Sequence, residues 1–174
     1  MPKTIADMVE LTGKRVLEHL DALVSFDTRN PPRAIGTDGI FVLLWSSDHC
    51  ADFMRWPSRK KSADTTLRLA RRLTDHDPSR QNILNLGLAL QKVAREAHLA
   101  GDTTGASAAN AEATRHLRAL AESESEESSE LLCGVLMDAS ILAMSSGDLN
   151  GATAASHEAS LIARSIVNAN PDDV

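Results

Sequence analysis

Two ten-residue blocks, AGDTTGASAA at 100–109 and SGDLNGATAA at 146–155, stand 46 residues apart in the chain. The same offset pairs Leu90 with Leu136, Glu112 with Glu158, Ala113 with Ala159 and Arg118 with Arg164. Self-similarity at a fixed period of a few tens of residues marks a repeat architecture, in which each unit buries its apolar face only against its neighbours. The block itself specifies a turn. Gly101 and Gly147 follow apolar-periodic segments, and a glycine just past a helix end takes the left-handed conformation without a Cβ penalty. Asp102 and Asp148 come next, as preferred N-caps whose carboxylates accept from the first free amides of a following helix. Each block therefore predicts a tight turn between two antiparallel helices. The small residues after it, Gly105, Ala106 and Ala109 and their images Gly151, Ala152 and Ala155, predict close helix–helix approach.

Apolar periodicity extends the pattern outward. Helices are predicted over 62–76, 80–99, 103–122, 128–145 and 149–168. The inward faces would be Ile83, Leu86, Leu90, Val93 and Ala97, then Ala106, Ala109, Ala113, Leu117 and Leu120. They continue with Leu131, Leu132, Val135, Leu136, Ala139 and Leu142, then Ala152, Ala155, Ala159, Ile162, Ala163 and Ile166. Aromatic residues are 3% of the chain, and all five lie between Phe26 and Trp56. A core of Ala, Leu, Ile, Val and Met suits helices and suits strands poorly. The expected fold class is all-α.

The wording LxxVAxxAxxAGDxxGAxxAxxEA over 90–113 resembles a tetratricopeptide-type hairpin. The resemblance covers about residues 62–173, with Ala94, Ala106 and Ala113, then Ser140, Ala152 and Ala159, at the small-residue positions. It implies stacked antiparallel hairpins with a partner-binding surface lined by the first helix of each unit. The period of 46 residues exceeds the roughly 34 of that family, and the bulky aromatic positions hold Ala, Leu, Asn or Ser. The partner-binding residues implied are Gln91, Arg95 and His98 on the 80–99 helix and Met137, Ile141 and Met144 on the 128–145 helix. Spacings of three and four put each set on one face. Basic and polar groups beside methionines suit an acidic-plus-apolar peptide. The alternative is that Met137, Ile141 and Met144 are core, covered by an N-terminal helix.

The N-terminal part reads differently. Residues 4–26 carry apolar side chains at mostly helical spacing, an amphipathic segment with Gly13 in its middle. Residues 27–61 read as an irregular linker, opening with Pro31-Pro32 and two glycines. Residues 15–41, HLDALVSFDTRNPPRAIGTDGIF in part, resemble the N-terminus of the acetylornithine deacetylase group of zinc-dependent aminoacylases and peptidases. None of that family's zinc ligands has a counterpart here. His19-Leu20-Asp21 matches His-x-Asp in letters only, because residues two apart on a helix point to different faces. This resemblance gives the alternative reading, a truncated or rearranged deacetylase-like protein without a zinc site.

Charge and motifs narrow the function. The net charge is −6, and residues 62–174 carry nine basic against sixteen acidic side chains. An acidic repeat region argues against nucleic acid as partner. No apolar run in the sequence approaches the roughly 20 residues that span a membrane. Cys50 and Cys133 have no metal-type spacing, as expected of reduced thiols in a cytoplasm. The chain holds no Gly-rich phosphate loop, GxSxG, HExxH or CxxC. His98 and His116 have no third ligand partner in the pattern, and His49-Cys50 are adjacent rather than opposed. The reading is a non-catalytic scaffold or adaptor in the cytoplasm that binds a protein or peptide, with no cofactor or metal. The last helix has no following unit to cover Ile162 and Ile166, so either a homodimer or residues 4–26 would cap it.

Overall fold

A computed structural model describes residues 56–122 and 126–169. The expectations for residues 4–26 and for the deacetylase-like stretch lie outside these residues. Five helices are described: α1 Trp56–His76, α2 Arg80–Leu99, α3 Thr103–Ala121, α4 Glu126–Ser146 and α5 Leu149–Ala169. No strand occurs among the described residues, and the fold is all-α. Two compact units divide the chain, Met1–Ala89 and Leu90–Val174, with the boundary inside α2.

In the first unit α1 begins six residues before its expected start, inside the stretch that reads as linker. Pro57 in its first turn accounts for this: the missing N–H has no intrahelical partner there anyway, and the fixed φ favours helix entry. The helix ends at His76 because Pro78 disfavours helical dihedrals at Asp77. Thr74 Oγ1 donates to the Asn82 carbonyl at 3.1 Å, and Asn82 Nδ2 donates to the Asp77 carbonyl at 2.8 Å. These two bonds tie the end of α1 to the start of α2. The unit buries Ala63, Leu67, Leu69, Ala70, Leu84, Leu86 and Ala89. Asn85, 1% exposed, is buried among them with neither its oxygen nor its nitrogen hydrogen-bonded.

In the second unit both Gly-Asp turns fold alike. Gly101 has φ +78° and Gly147 φ +81°. The Asp102 amide donates to the Ala97 carbonyl and the Gly101 amide to the His98 carbonyl, both at 2.9 Å. Asp148 to Ala143 and Gly147 to Met144 repeat the pair at 2.9 and 3.1 Å. This is the Schellman arrangement, which satisfies helix-end carbonyls through a left-handed residue. The aspartates then open the next helix: Asp102 Oδ1 accepts from the Gly105 amide at 2.8 Å, and Asp148 Oδ1 from the Gly151 amide at 2.9 Å. Gly105 and Gly151 serve this cap rather than helix–helix approach. A Cβ on either would strike the capping carboxylate of its own turn.

Helix α4 packs against α3 on one side and α5 on the other. The core comprises Leu90, Ala94, Ala106, Ala109, Ala113, Leu117, Leu132, Val135, Leu136, Leu142, Ala152 and Ala159. The inward side chains toward the end of α5, Ile162, Ala163 and Ile166, are only half-buried. One departure from the sequence reading lies here: Glu127–Ser146 is a segment of 20 residues, long and apolar enough to cross a membrane by length and composition. A third of it is buried, and Met137, Ile141 and Met144 are among its exposed apolar side chains.

Candidate functional site

A carboxylate that the sequence reading passed over organises the site. Asp138, near the middle of α4, accepts through Oδ2 from Gln91 Nε2 at 2.8 Å and from Arg95 Nε at 3.0 Å, both on α2. Its side chain is 16% exposed, while that of Arg95 is 59% exposed. One sequence signal was present: Asp138 is the lone charged residue between Leu131 and Ser146. A charge amid apolar residues on a packed helix needs a partner.

The six expected partner-binding residues therefore separate. Gln91 is 8% exposed and faces α4, so it does not line an open groove. Arg95 reaches solvent, but its charge is matched within the chain by Asp138. The basic and polar complement expected for an acidic peptide is thus largely taken up by the fold. His98 is half-buried, with Nδ1 enclosed and unbonded. Met137, Ile141 and Met144 are 58%, 47% and 58% exposed. The covered-core alternative turns on residues 4–26, which lie outside the described residues.

Among the described residues of the second unit, three concavities stand out. A mostly apolar pocket of about 240 Å³ sits between α2 and α4, lined by Ala94, Arg95, His98, Leu99, Ile141 and Leu142, with Asp138 at its edge. A groove of about 580 Å³ runs between α4 and α5, past Ser140, Met144, Leu149, Ala152, Ser156 and Ser160. There the hydroxyls of Ser140 and Ser156 share a hydrogen bond of 2.7 Å. The third, an open groove of about 680 Å³, lies between α3 and α5 over α4. It is bridged by Arg118, whose guanidinium donates to both carboxylate oxygens of Glu158 at 2.8 Å. A fork-to-fork pair fixes orientation between two helices, and its exposure limits its worth to about 1 kcal/mol or less.

No group of three or more His, Cys, Asp or Glu side chains converges as metal ligands among the described residues. Cys133 is half-buried, its thiol pointing to the Ala159 carbonyl at 3.5 Å. What the arrangement offers chemically is an apolar, methionine-rich helix face flanked by two concavities, with its nearest charges neutralised by each other.

Comparison with known proteins adds one finding. A stretch of 23 residues, 13% of this chain, is 78% identical to N-acetyl-L-citrulline deacetylase of Xanthomonas campestris pv. campestris. It supports the deacetylase-like wording of the N-terminal part. The chain spans 6% of that enzyme's length. No family model and no solved structure matches the chain, so the tetratricopeptide resemblance rests on its residues alone.

Proposed function

We propose that the chain is a non-catalytic, tetratricopeptide-like binding module that holds a protein or peptide partner on the α4 face. The observation that carries this reading is the exposure of Met137, Ile141 and Met144 at spacings of four and three on one helix. Methionine side chains are flexible and polarisable, and they adapt to the shape of an apolar partner. The acidic balance of residues 62–174 supports a protein rather than a nucleic acid, and the proposed compartment is the cytoplasm. The test is site-specific photo-crosslinking in the native host. A crosslinker at Met137 should yield a discrete adduct that Met144→Ala weakens, while the same crosslinker at Asn168, on the opposite end of α5, yields none. Equal labelling at both positions would refute a specific face.

A second reading starts from the 23-residue identity. In it the chain is a truncated or rearranged relative of the deacetylase group, with the N-terminal wording retained and the zinc site absent. Release of acetate from N-acetyl-citrulline in the presence of zinc would overturn the non-catalytic reading. A deacetylase-free result leaves the N-terminal wording as a trace of sequence origin.

A further inference from the structure

The 46-residue offset relates two seats, and α4 occupies the first. α4 lies against α2 and α3: Asp138 takes hydrogen bonds from Gln91 and Arg95, and the Val135 carbonyl accepts from Asn110 Nδ2 at 3.0 Å. Where α4 lies, Gln91 and Asn110 are less than one-tenth exposed, whereas their counterparts 46 residues on are exposed; Ala94 and Ala106 are buried, and so are their counterparts. The offset carries Gln91, Ala94, Ala106 and Asn110 to Met137, Ser140, Ala152 and Ser156, and carries Arg95 and His98 to Ile141 and Met144. Four of these six images, Ser140, Met144, Ala152 and Ser156, line the 580 Å³ groove between α4 and α5. Met137 and Ile141 stand beside it, exposed. The expected partner-binding face and this groove are thus one surface, the second copy of a seat built for a helix.

The two seats differ in chemistry at one place. The first presents Gln91 and Arg95 to a carboxylate; the second presents Met137 and Ile141 at the same positions. Resting on the proposed partner-binding reading, we infer that this seat takes one amphipathic α-helix of a partner protein, lying on α4 and α5 as α4 lies on α2 and α3, with an aliphatic residue where α4 has Asp138. A carboxylate there would be buried against two apolar side chains without a donor. Helix-in-groove recognition with anchors at helical spacing is an established mode of docking.

The described residues of a second copy fit this seat poorly. Among them, the exposed large apolar side chains outside the seat and its groove are Leu99, Leu161 and Val167. Leu161 and Val167, six residues apart, point about 120° away from each other around α5 and form no ridge. Two seats facing one another would meet groove to groove.

The α4 sequence supplies the probe. A synthetic peptide of residues 126–146 carrying Asp138→Leu should bind the full chain one to one, and the peptide with Asp138 at least about 10-fold more weakly, a difference of 1.4 kcal/mol. In the Met137→Gln/Ile141→Arg variant, which rebuilds the first seat, the preference should invert. Both residues are exposed, so the variant should keep its helical circular dichroism and melting temperature; these are measured alongside. Failure of the Asp138→Leu peptide to bind the full chain, or an unchanged preference in the folded variant, overturns the inference. A successful Met137 crosslink with failed peptides would keep the binding reading and discard the helix seat. Self-association abolished by Met144→Glu, or displacement of the peptide by one of residues 4–26, would assign the seat to a second copy or to the chain's own N-terminal stretch, and would likewise overturn it.

Discussion

Replacing Asp138 by Ala tests the link between α2 and α4. Oδ2 accepts from Gln91 and Arg95, and the two losses differ in kind. Arg95 is 59% exposed at its side chain and rehydrates, so its share is bounded by the exposed-pair range of about 0–1 kcal/mol. Gln91 is 8% exposed, and its amide would be left without an acceptor, at a cost of roughly 1–3 kcal/mol. The sum is about 2 kcal/mol. At roughly 2–4 °C per kcal/mol for a chain of this size, melting should fall by about 4–8 °C. A double-mutant cycle with Gln91→Leu isolates the mechanism. Removing both polar partners of a buried hydrogen bond is nearly neutral, so Asp138→Ala/Gln91→Leu should recover most of the loss. Calorimetry on the four proteins reads the coupling directly. A single-variant loss below about 0.5 kcal/mol, or strictly additive effects, would refute the account of Asp138 as the acceptor that holds α2 to α4.

The turn geometry makes a second prediction: Gly101→Val and Gly147→Val each force a β-branched residue to positive φ and should cost roughly 1–3 kcal/mol in chemical unfolding. Gly105→Ala should fail to give the gain of about 1 kcal/mol that alanine otherwise brings to a helix, because its Cβ displaces the Asp102 cap; in an Asp102→Ala background the gain should reappear. Asn85→Leu replaces an unbonded buried amide with a side chain of similar volume and should stabilise the protein by about 1–2 kcal/mol in the same assay. Arg118→Ala should change stability by less than about 1 kcal/mol, and the small difference should shrink as salt is raised.

The features legible in the sequence are those decided within about five residues of chain. Gly101-Asp102 and Gly147-Asp148 each place a left-handed residue and a cap side by side, and the hydrogen bonds that follow span three to five positions. Helix termini at His76, Leu99 and Ser146 follow from Pro78, Gly101 and Gly147 for the same local reason. Pro57 carried a comparable signal for the start of α1, but the aromatic and basic residues around it obscured the helical period.

Tertiary packing decided the rest. Ala109, Ala113 and Leu117 could be assigned to an inward face from spacing alone, but spacing does not say which neighbour that face meets. Asn110 is turned inward by the same azimuth as Ala106 and Ala113, and its amide finds the Val135 carbonyl 25 residues away. Arg118 meets Glu158 across 40 positions, and Gln91 meets Asp138 across 47. None of these pairs has a local signature, because each depends on where two separate helices present their side chains once packed. For the same reason the sequence placed Gln91, Arg95 and His98 with Met137, Ile141 and Met144 as one equivalent set, as the offset requires. The fold gave the first set a helix to hold and left the second set facing solvent, since burial is a property of the neighbour that arrives and not of the residue that waits.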